Sequence, residues 1–236
     1  MTDPILITGG ATRLGFALAD YYLNSGQSVV ITFRSHRPQV QELLNRGAVC
    51  VQADFSTDSG IYEAAGQLKD RCPRLRSIVH NASSWFTDPG GTDDLDNLAL
   101  MMRIHIGAPL VLTDALSPAL LQTENPSVIN ISDHVARRGS DQHMAYAASK
   151  SAMLNLTKSQ AKKYAPEIRV NALCPALLEF REEDDAVYRE RTIAKSALKI
   201  VPGFDAAIEA ICYLQTNRYT TGSVLPLDGG RPLGMP

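Results

Sequence analysis

Pro4-Ile5-Leu6-Ile7-Thr8-Gly9-Gly10-Ala11-Thr12-Arg13-Leu14-Gly15 is an apolar run of strand length that breaks into a glycine-rich turn and then into a helical pattern. A strand that turns at once into a helix leaves the free N–H groups and positive dipole end of that helix at the strand's end. A pyrophosphate can sit there, and glycine lets it approach the backbone. Gly9 and Gly15 suit that role, but Arg13 stands where the usual glycine pattern has its second glycine or alanine. The turn is therefore not a standard GxGxxG, and its arginine offers charge to a phosphate.

Working outward, short apolar runs recur at residues 5–8, 28–33, 49–52, 77–80, 127–131, 169–173 and 223–227. Such runs suit strands buried on both faces. Between them lie stretches of helical periodicity at 14–25, 40–45, 61–71, 95–121, 145–164 and 206–214. Strand and helix in alternation predict an α/β, Rossmann-like doubly wound domain with a seven-stranded parallel sheet. No repeat, low-complexity tract or linker divides the chain, so residues 1–236 read as a single domain. The stretch 176–200 has no clear period and carries the acidic run Glu179-Phe180-Arg181-Glu182-Glu183-Asp184-Asp185. Two readings stand for it, a solvated lid over the site and a plain surface insertion.

With 44% hydrophobic and 20% charged residues the chain has the makeup of a soluble globular protein, and a formal net charge of -2 gives no overall attraction for nucleic acid or anionic lipid. Neither nucleic acid nor membrane is an expected partner. Cys50, Cys72, Cys174 and Cys212 lie far apart without metal-ligand spacing, which predicts reduced structural thiols and no metal site. The chain enters its first strand without a basic segment and long apolar run, so a cytoplasmic location is expected.

The corner after the second strand reads Phe33-Arg34-Ser35-His36-Arg37. A carboxylate there would bind a ribose 2′-OH and repel a 2′-phosphate. Arg34, Ser35 and His36 instead suit the phosphate of NADPH. In Ala53-Asp54-Phe55-Ser56, Asp54 is positioned either to reach adenine beside Phe55 or to cap the next helix. Further on, Tyr146-Ala147-Ala148-Ser149-Lys150 puts a phenol and an ammonium on one helical face, one turn apart. A nearby cation favours phenolate, so Lys150 is expected to lower the pKa of Tyr146 and make it a proton donor nearer neutral pH.

Taken together, Thr8-Gly9 with Gly15, His80-Asn81-Ala82-Ser83, Asn130-Ile131-Ser132-Asp133, Tyr146 with Lys150, Asn171 to Pro175 and Asp228-Gly229-Gly230 resemble the short-chain dehydrogenase/reductase family over essentially the whole length. The resemblance implies Tyr146 and Lys150 as catalytic residues and frequent assembly as a homotetramer. It also implies a nicotinamide cofactor held by Gly9, Arg13, Leu14, Gly15, Asn81, Ala82, Ser83, Tyr146, Lys150 and Pro175.

Two departures bear on the substrate. Where the family usually has a serine thirteen residues before the tyrosine, this chain has Asp133, which cannot donate a hydrogen bond when ionised. It suits a ligand that presents N–H groups, or a relay handing protons to Tyr146. Where the family commonly has an asparagine on the long helix, this chain has His105, a packed structural residue or a relay member.

Asp133, Arg13, the basic corner and Asn81-Ala82-Ser83-Ser84-Trp85 are similar to the pteridine reductases of the family. That similarity implies a pterin stacked on Trp85, the chain's single tryptophan, and contacted by Arg13, Ser83, Asp133 and Tyr146. The reaction so implied is hydride transfer from NADPH to C6 of a 7,8-dihydropterin of the monapterin type, with a proton reaching N5. Dihydrofolate is the expected side substrate. A ketone-reducing member of the family and a non-catalytic nucleotide-binding sensor are the competing readings.

Overall fold

The computed structural model describes residues 2–88, 90 and 93–233. Seven parallel strands form one sheet in the order β3-β2-β1-β4-β5-β6-β7. They are β1 (Ile5–Ile7), β2 (Val29–Phe33), β3 (Val49–Gln52), β4 (Ser77–His80), β5 (Ser127–Ile131), β6 (Arg169–Pro175) and β7 (Val224–Leu227). The helices are α1 (Arg13–Asn24), α2 (Pro38–Asn45), α3 (Asp58–Arg71), α4 (Asp93–Met102), α5 (Ala108–Leu120), α6 (Met144–Tyr164), α7 (Ala186–Ile193) and α8 (Asp205–Thr216).

Period-two alternation along the strands sends side chains to two separate cores. Leu6, Val30, Ile78, Val128 and Val170 pack on one face with Ile61, Leu68, Leu112 and Leu116 of α3 and α5. Ile5, Ile7, Ile31, Val79, Ile129 and Leu173 pack on the other with Leu14 and Leu18 of α1 and Ile208 and Ile211 of α8. The interior strands β1, β2, β4, β5 and β6 are buried along their length, whereas the edge strands β3 and β7 are partly open. Because the chain builds from β1 to β2 and β3, then returns to β4 on the other side of β1, a crevice opens at the strands' C-terminal ends. Ligands of such sheets bind in that crevice.

Three boundaries differ from the sequence expectation, each for a local reason. The single helix expected over 95–121 is α4 and α5 joined by a π-turn, Arg103–Gly107. Pro109 has no N–H to give the carbonyl four residues back, that of His105, so the regular ladder fails at that point. The α4 to α5 stretch, long and apolar enough to cross a membrane, packs against α3 and α6 in this fold. Within the stretch 176–200 the structure has α7, capped by Asp185, whose side chain accepts from the Tyr188 N–H. Only Thr192 of α7 is buried, so the helix has no apolar stripe for a sequence reading to find. β6 runs two residues beyond expectation, to Pro175.

Candidate active site

The glycine turn is knitted to the loop after β4. Thr8 Oγ1 accepts from the N–H groups of Asn81 and Ala82, both at 3.0 Å, and Asn81 Nδ2 donates to the carbonyls of Thr8 at 3.0 Å and Gly9 at 3.2 Å. The Asn81 side chain therefore braces the turn. Gly9 has φ +67°, and a Cβ added to it would lie 2.9 Å from Ala82 Cα. An added Cβ on Gly15 would lie 2.3 Å from the Gly9 carbonyl oxygen, so Gly15 lets α1 approach the turn and does not line the cavity. Arg13 has φ +48°, which explains the family's glycine at this position. Its guanidinium donates to the Glu179 carbonyl at 2.8 Å and lies 5.7 Å from the Phe204 ring, tying the turn to the chain after β6.

A cavity of about 770 Å³ runs along the strand ends past this turn. Gly9, Thr12, Arg13 and Leu14 line it at the N-terminus of α1. There the first-turn N–H groups lack intrahelical partners, and no acidic residue stands in that turn. Arg34, Ser35 and Arg37 line its far end with Asp54 and Phe55. His36 does not line it, but packs edge-on against the Phe33 ring at 5.1 Å. Asp54 Oδ1 accepts from the Ser56 N–H at 2.9 Å, and this bond first, with Arg34 contributing, lowers the Asp54 pKa. The helix cap offered as an alternative role for Asp54 belongs to Thr57, which accepts from the Gly60 N–H at 3.1 Å. Length, charge and open backbone donors fit a dinucleotide, and the two arginines fit one with a further phosphate.

The other end of the cavity holds the reactive groups. Asp88, on the loop after β4, accepts from the Met144 and Ala145 N–H groups and so caps α6, which carries Tyr146. Sequence reading missed it because a cap supplied from another element has no local signature. The Tyr146 hydroxyl donates to Asp133 Oδ2 at 2.9 Å, and Asp133 Oδ1 accepts from the Val135 N–H at 2.8 Å. Both side chains line the cavity.

Lys150 lies behind Tyr146, buried, with Nζ donating to the Ile131 carbonyl at 2.9 Å and 5.6 Å from the phenol ring. Burial pushes its pKa down to about 8, against the raising effect of Asp133. The expected lowering of the tyrosine pKa is not found. Burial, and then the Asp133 carboxylate, raise the phenol well above its ordinary value. The phenol keeps its proton at neutral pH and presents it to Asp133. Lys150 and Pro175 are absent from the cavity wall, to which the residues just after β6, Ala176, Leu177 and Leu178, contribute instead.

Behind the wall His105, fully buried on the π-turn, lies 2.9 Å from Ser83 Oγ through Nε2 and 2.8 Å from Ser149 Oγ through Nδ1. Ser149 was missed, since a serine inside a helix carries no signal of its own. Trp85 lines the cavity half-exposed, with the His143 ring at 4.3 Å and the Arg181 guanidinium 5.5 Å from its own ring. The segment after β6 brings Glu179, Phe180, Arg181, Asp184 and Tyr188 to the same cavity, the position of a lid.

Comparisons with known proteins agree with this arrangement. Residues 3–186 match the short chain dehydrogenase family. Dihydromonapterin reductase of Enterobacter sp. (strain 638) is 48% identical over 232 residues, covering 98% of this chain and 97% of that protein. Dihydromonapterin reductase of Escherichia coli (strain K12) is 45% identical over the same coverage. Among solved structures, FolM alternative dihydrofolate reductase 1 from Brucella canis, complexed with NADP, is 30% identical. It superposes with a TM-score of 0.88, covering 99% of this chain and 95% of that one. By its sheet order, its Tyr146 and Lys150 helix and these likenesses, the chain belongs to the short-chain dehydrogenase family.

Proposed function

We propose that the chain reduces a 7,8-dihydropterin with NADPH, dihydromonapterin being the main substrate and dihydrofolate a side substrate. The observation that carries this reading is the Tyr146 hydroxyl donating to Asp133 Oδ2 at 2.9 Å. A carbonyl-reducing site needs donors toward the substrate oxygen, whereas a carboxylate here accepts from N–H groups and passes a proton to a ring nitrogen. Relatives named dihydromonapterin reductase at 45% and 48% identity support it.

When bound, NADPH supplies the hydride for C6 of the dihydropterin. The chain's own part is to orient and to protonate. Tyr146 and Asp133 hold one proton between them at the cavity wall, and that pair delivers it to N5 as the C6–N5 double bond becomes single. The buried Lys150 ammonium supports the negative charge left on the pair. Trp85, which also carries the Arg181 guanidinium 5.5 Å from its ring, lines the cavity as the aromatic partner for the pterin ring. Arg34, Ser35 and Arg37 receive the 2′-phosphate, and the first turn of α1 the pyrophosphate.

The deciding experiment follows NADPH oxidation with dihydromonapterin, dihydrofolate and a panel of ketones. Turnover of the two pterins is expected, and turnover of ketones alone overturns the reading. For the cofactor, Arg34→Ala is expected to cut the NADPH over NADH preference in kcat/KM by about tenfold or more, the worth of a lost charged hydrogen bond. Equal use of both cofactors by the unmodified enzyme would refute the basic-corner argument. The family resemblance also implies a homotetramer. Light scattering of the purified protein is expected to give four chains, and a monomer would count against that.

A further inference from the structure

Three side chains and one backbone carbonyl behind the cavity wall form a chain of hydrogen bonds whose polarity is determined at one end. Ser149 Oγ lies 2.7 Å from the Tyr146 carbonyl, which can only accept, so the single Ser149 hydroxyl proton goes there. The Ser149 oxygen is then an acceptor toward His105 Nδ1 at 2.8 Å, and Nδ1 must carry a proton. His105 is fully buried, and burial with the neighbouring Lys150 charge holds its imidazole neutral. Nε2 is therefore bare and accepts from the Ser83 hydroxyl at 2.9 Å. Two other acceptors lie near Ser83: the Ser84 carbonyl at 3.5 Å, too distant to compete, and the Tyr146 phenol oxygen, a weaker acceptor than a bare imidazole nitrogen.

We propose that His105 is a positioning residue that takes up the only proton of the Ser83 hydroxyl. Ser83 then meets the substrate as a hydrogen-bond acceptor beside the Asp133 carboxylate, and the site selects a ligand edge rich in N–H groups. Ser83, Asp133 and Tyr146 all line the cavity, and the one proton left to them there is the one that Tyr146 shares with Asp133. A ketone oxygen finds one partner at such a wall and two repelling lone-pair carriers. A heterocycle bearing ring and exocyclic N–H groups finds partners for each. The π-turn at Arg103–Gly107 is what sets the imidazole between two serines from different elements, Ser83 after β4 and Ser149 in α6.

The identity of the ligand rests on the dihydropterin reading, but the polarity of the relay does not, and the two are tested separately. In the unmodified full-length protein labelled with 15N-histidine, His105 is expected to give the resonances of a neutral imidazole protonated at Nδ1, unchanged between about pH 5 and 8. A proton on Nε2, or a ring that titrates in that range, overturns the proposal whatever the substrate proves to be.

The second test is a double-mutant cycle in kinetics with dihydropterin. His105→Leu is expected to raise KM about tenfold, in line with the loss of one well-placed hydrogen bond, with kcat changed less than about threefold. Added to Ser83→Ala it is expected to change KM by less than about twofold further, because it acts through that hydroxyl. His105→Gln, whose amide carbonyl can accept from Ser83, is expected to recover KM to within about threefold of the unmodified enzyme. Additive losses in the double variant, or no rescue by glutamine, would make His105 a packing residue only.

Discussion

Burial first, and then the Asp133 carboxylate, hold the proton on the Tyr146 phenol, and Lys150 stands too far off to offset them. Asp133 is hydrogen-bonded to the hydroxyl at 2.9 Å, while the Lys150 ammonium lies 5.6 Å from the ring and is engaged by the Ile131 carbonyl. Asp133→Asn keeps an oxygen for the Val135 N–H but loses the charge. It is expected to lower kcat for dihydropterin about 100-fold, the scale of a lost acid–base group, with the Kd for NADPH moved less than about twofold. Comparable loss in both would make Asp133 structural. Lys150 has its own pH signature. With its folded pKa at about 8 and an unfolded value of about 10.4, the buried ammonium opposes folding at neutral pH. Between those values the folded protein has released a proton that the unfolded chain keeps, so this site's contribution to stability rises with pH. The denaturation midpoint of the unmodified protein should gain on that of Lys150→Met from about pH 7 to about pH 9.5. A constant gap between the two would mean that Lys150 does not titrate there.

At the scale of elements, the β1-to-α1 turn is a tight junction beside the cavity. Gly9 and Gly26 both have positive φ, but a Cβ at Gly9 meets the Ala82 backbone at 2.9 Å while one at Gly26 meets nothing within 4 Å. Gly26→Ala carries backbone strain of about 1–2 kcal/mol alone. Gly9→Ala adds a clash with a loop that Asn81 and Thr8 hold in place. It is expected to be the more destabilising of the two in urea denaturation and to raise the Kd for NADPH at least about tenfold. Equal destabilisation would mean that the Ala82 loop yields freely.

Across the whole molecule, the segment after β6 is tied to distant parts of the chain and lies along the cavity, where closure over the site and a plain surface insertion are the two readings to be tested. Arg13 donates to the Glu179 carbonyl, and Arg189 in turn donates to the carbonyls of Arg181 and Asp184. Between them Arg181 sits against Trp85. A cofactor under this segment adds contacts to it, so NADPH should slow tryptic cleavage at Arg181, Arg189 and Arg191. Arg13→Ala, which removes the tie, is expected to speed that cleavage severalfold in the absence of cofactor. Mass spectrometry of the fragments identifies the cut. Cleavage indifferent to both changes would argue that the segment is a surface insertion without closure.

The seven-stranded parallel sheet was readable in one dimension because its interior strands are apolar on both faces and its helices carry stripes of the right period. Those are properties of residues a few positions apart. Gly9 and Arg13 in the glycine turn and Tyr146 and Lys150 on one helical face were readable for a related reason, whereas Asp133 stood out only through the resemblance to the family. What only the tertiary structure decided were contacts between residues far apart in the chain. Among the four consecutive polar residues after β2, Arg34, Ser35 and Arg37 face the cavity while His36 folds back on Phe33. Asp88 caps a helix 56 residues away, and His105 joins two serines 22 and 44 residues distant. The direction of the Tyr146 pKa followed the same pattern. Sequence spacing brings lysine and tyrosine together, but burial and the through-space hydrogen bond to Asp133 determine which proton is held, and those exist only once the sheet has formed.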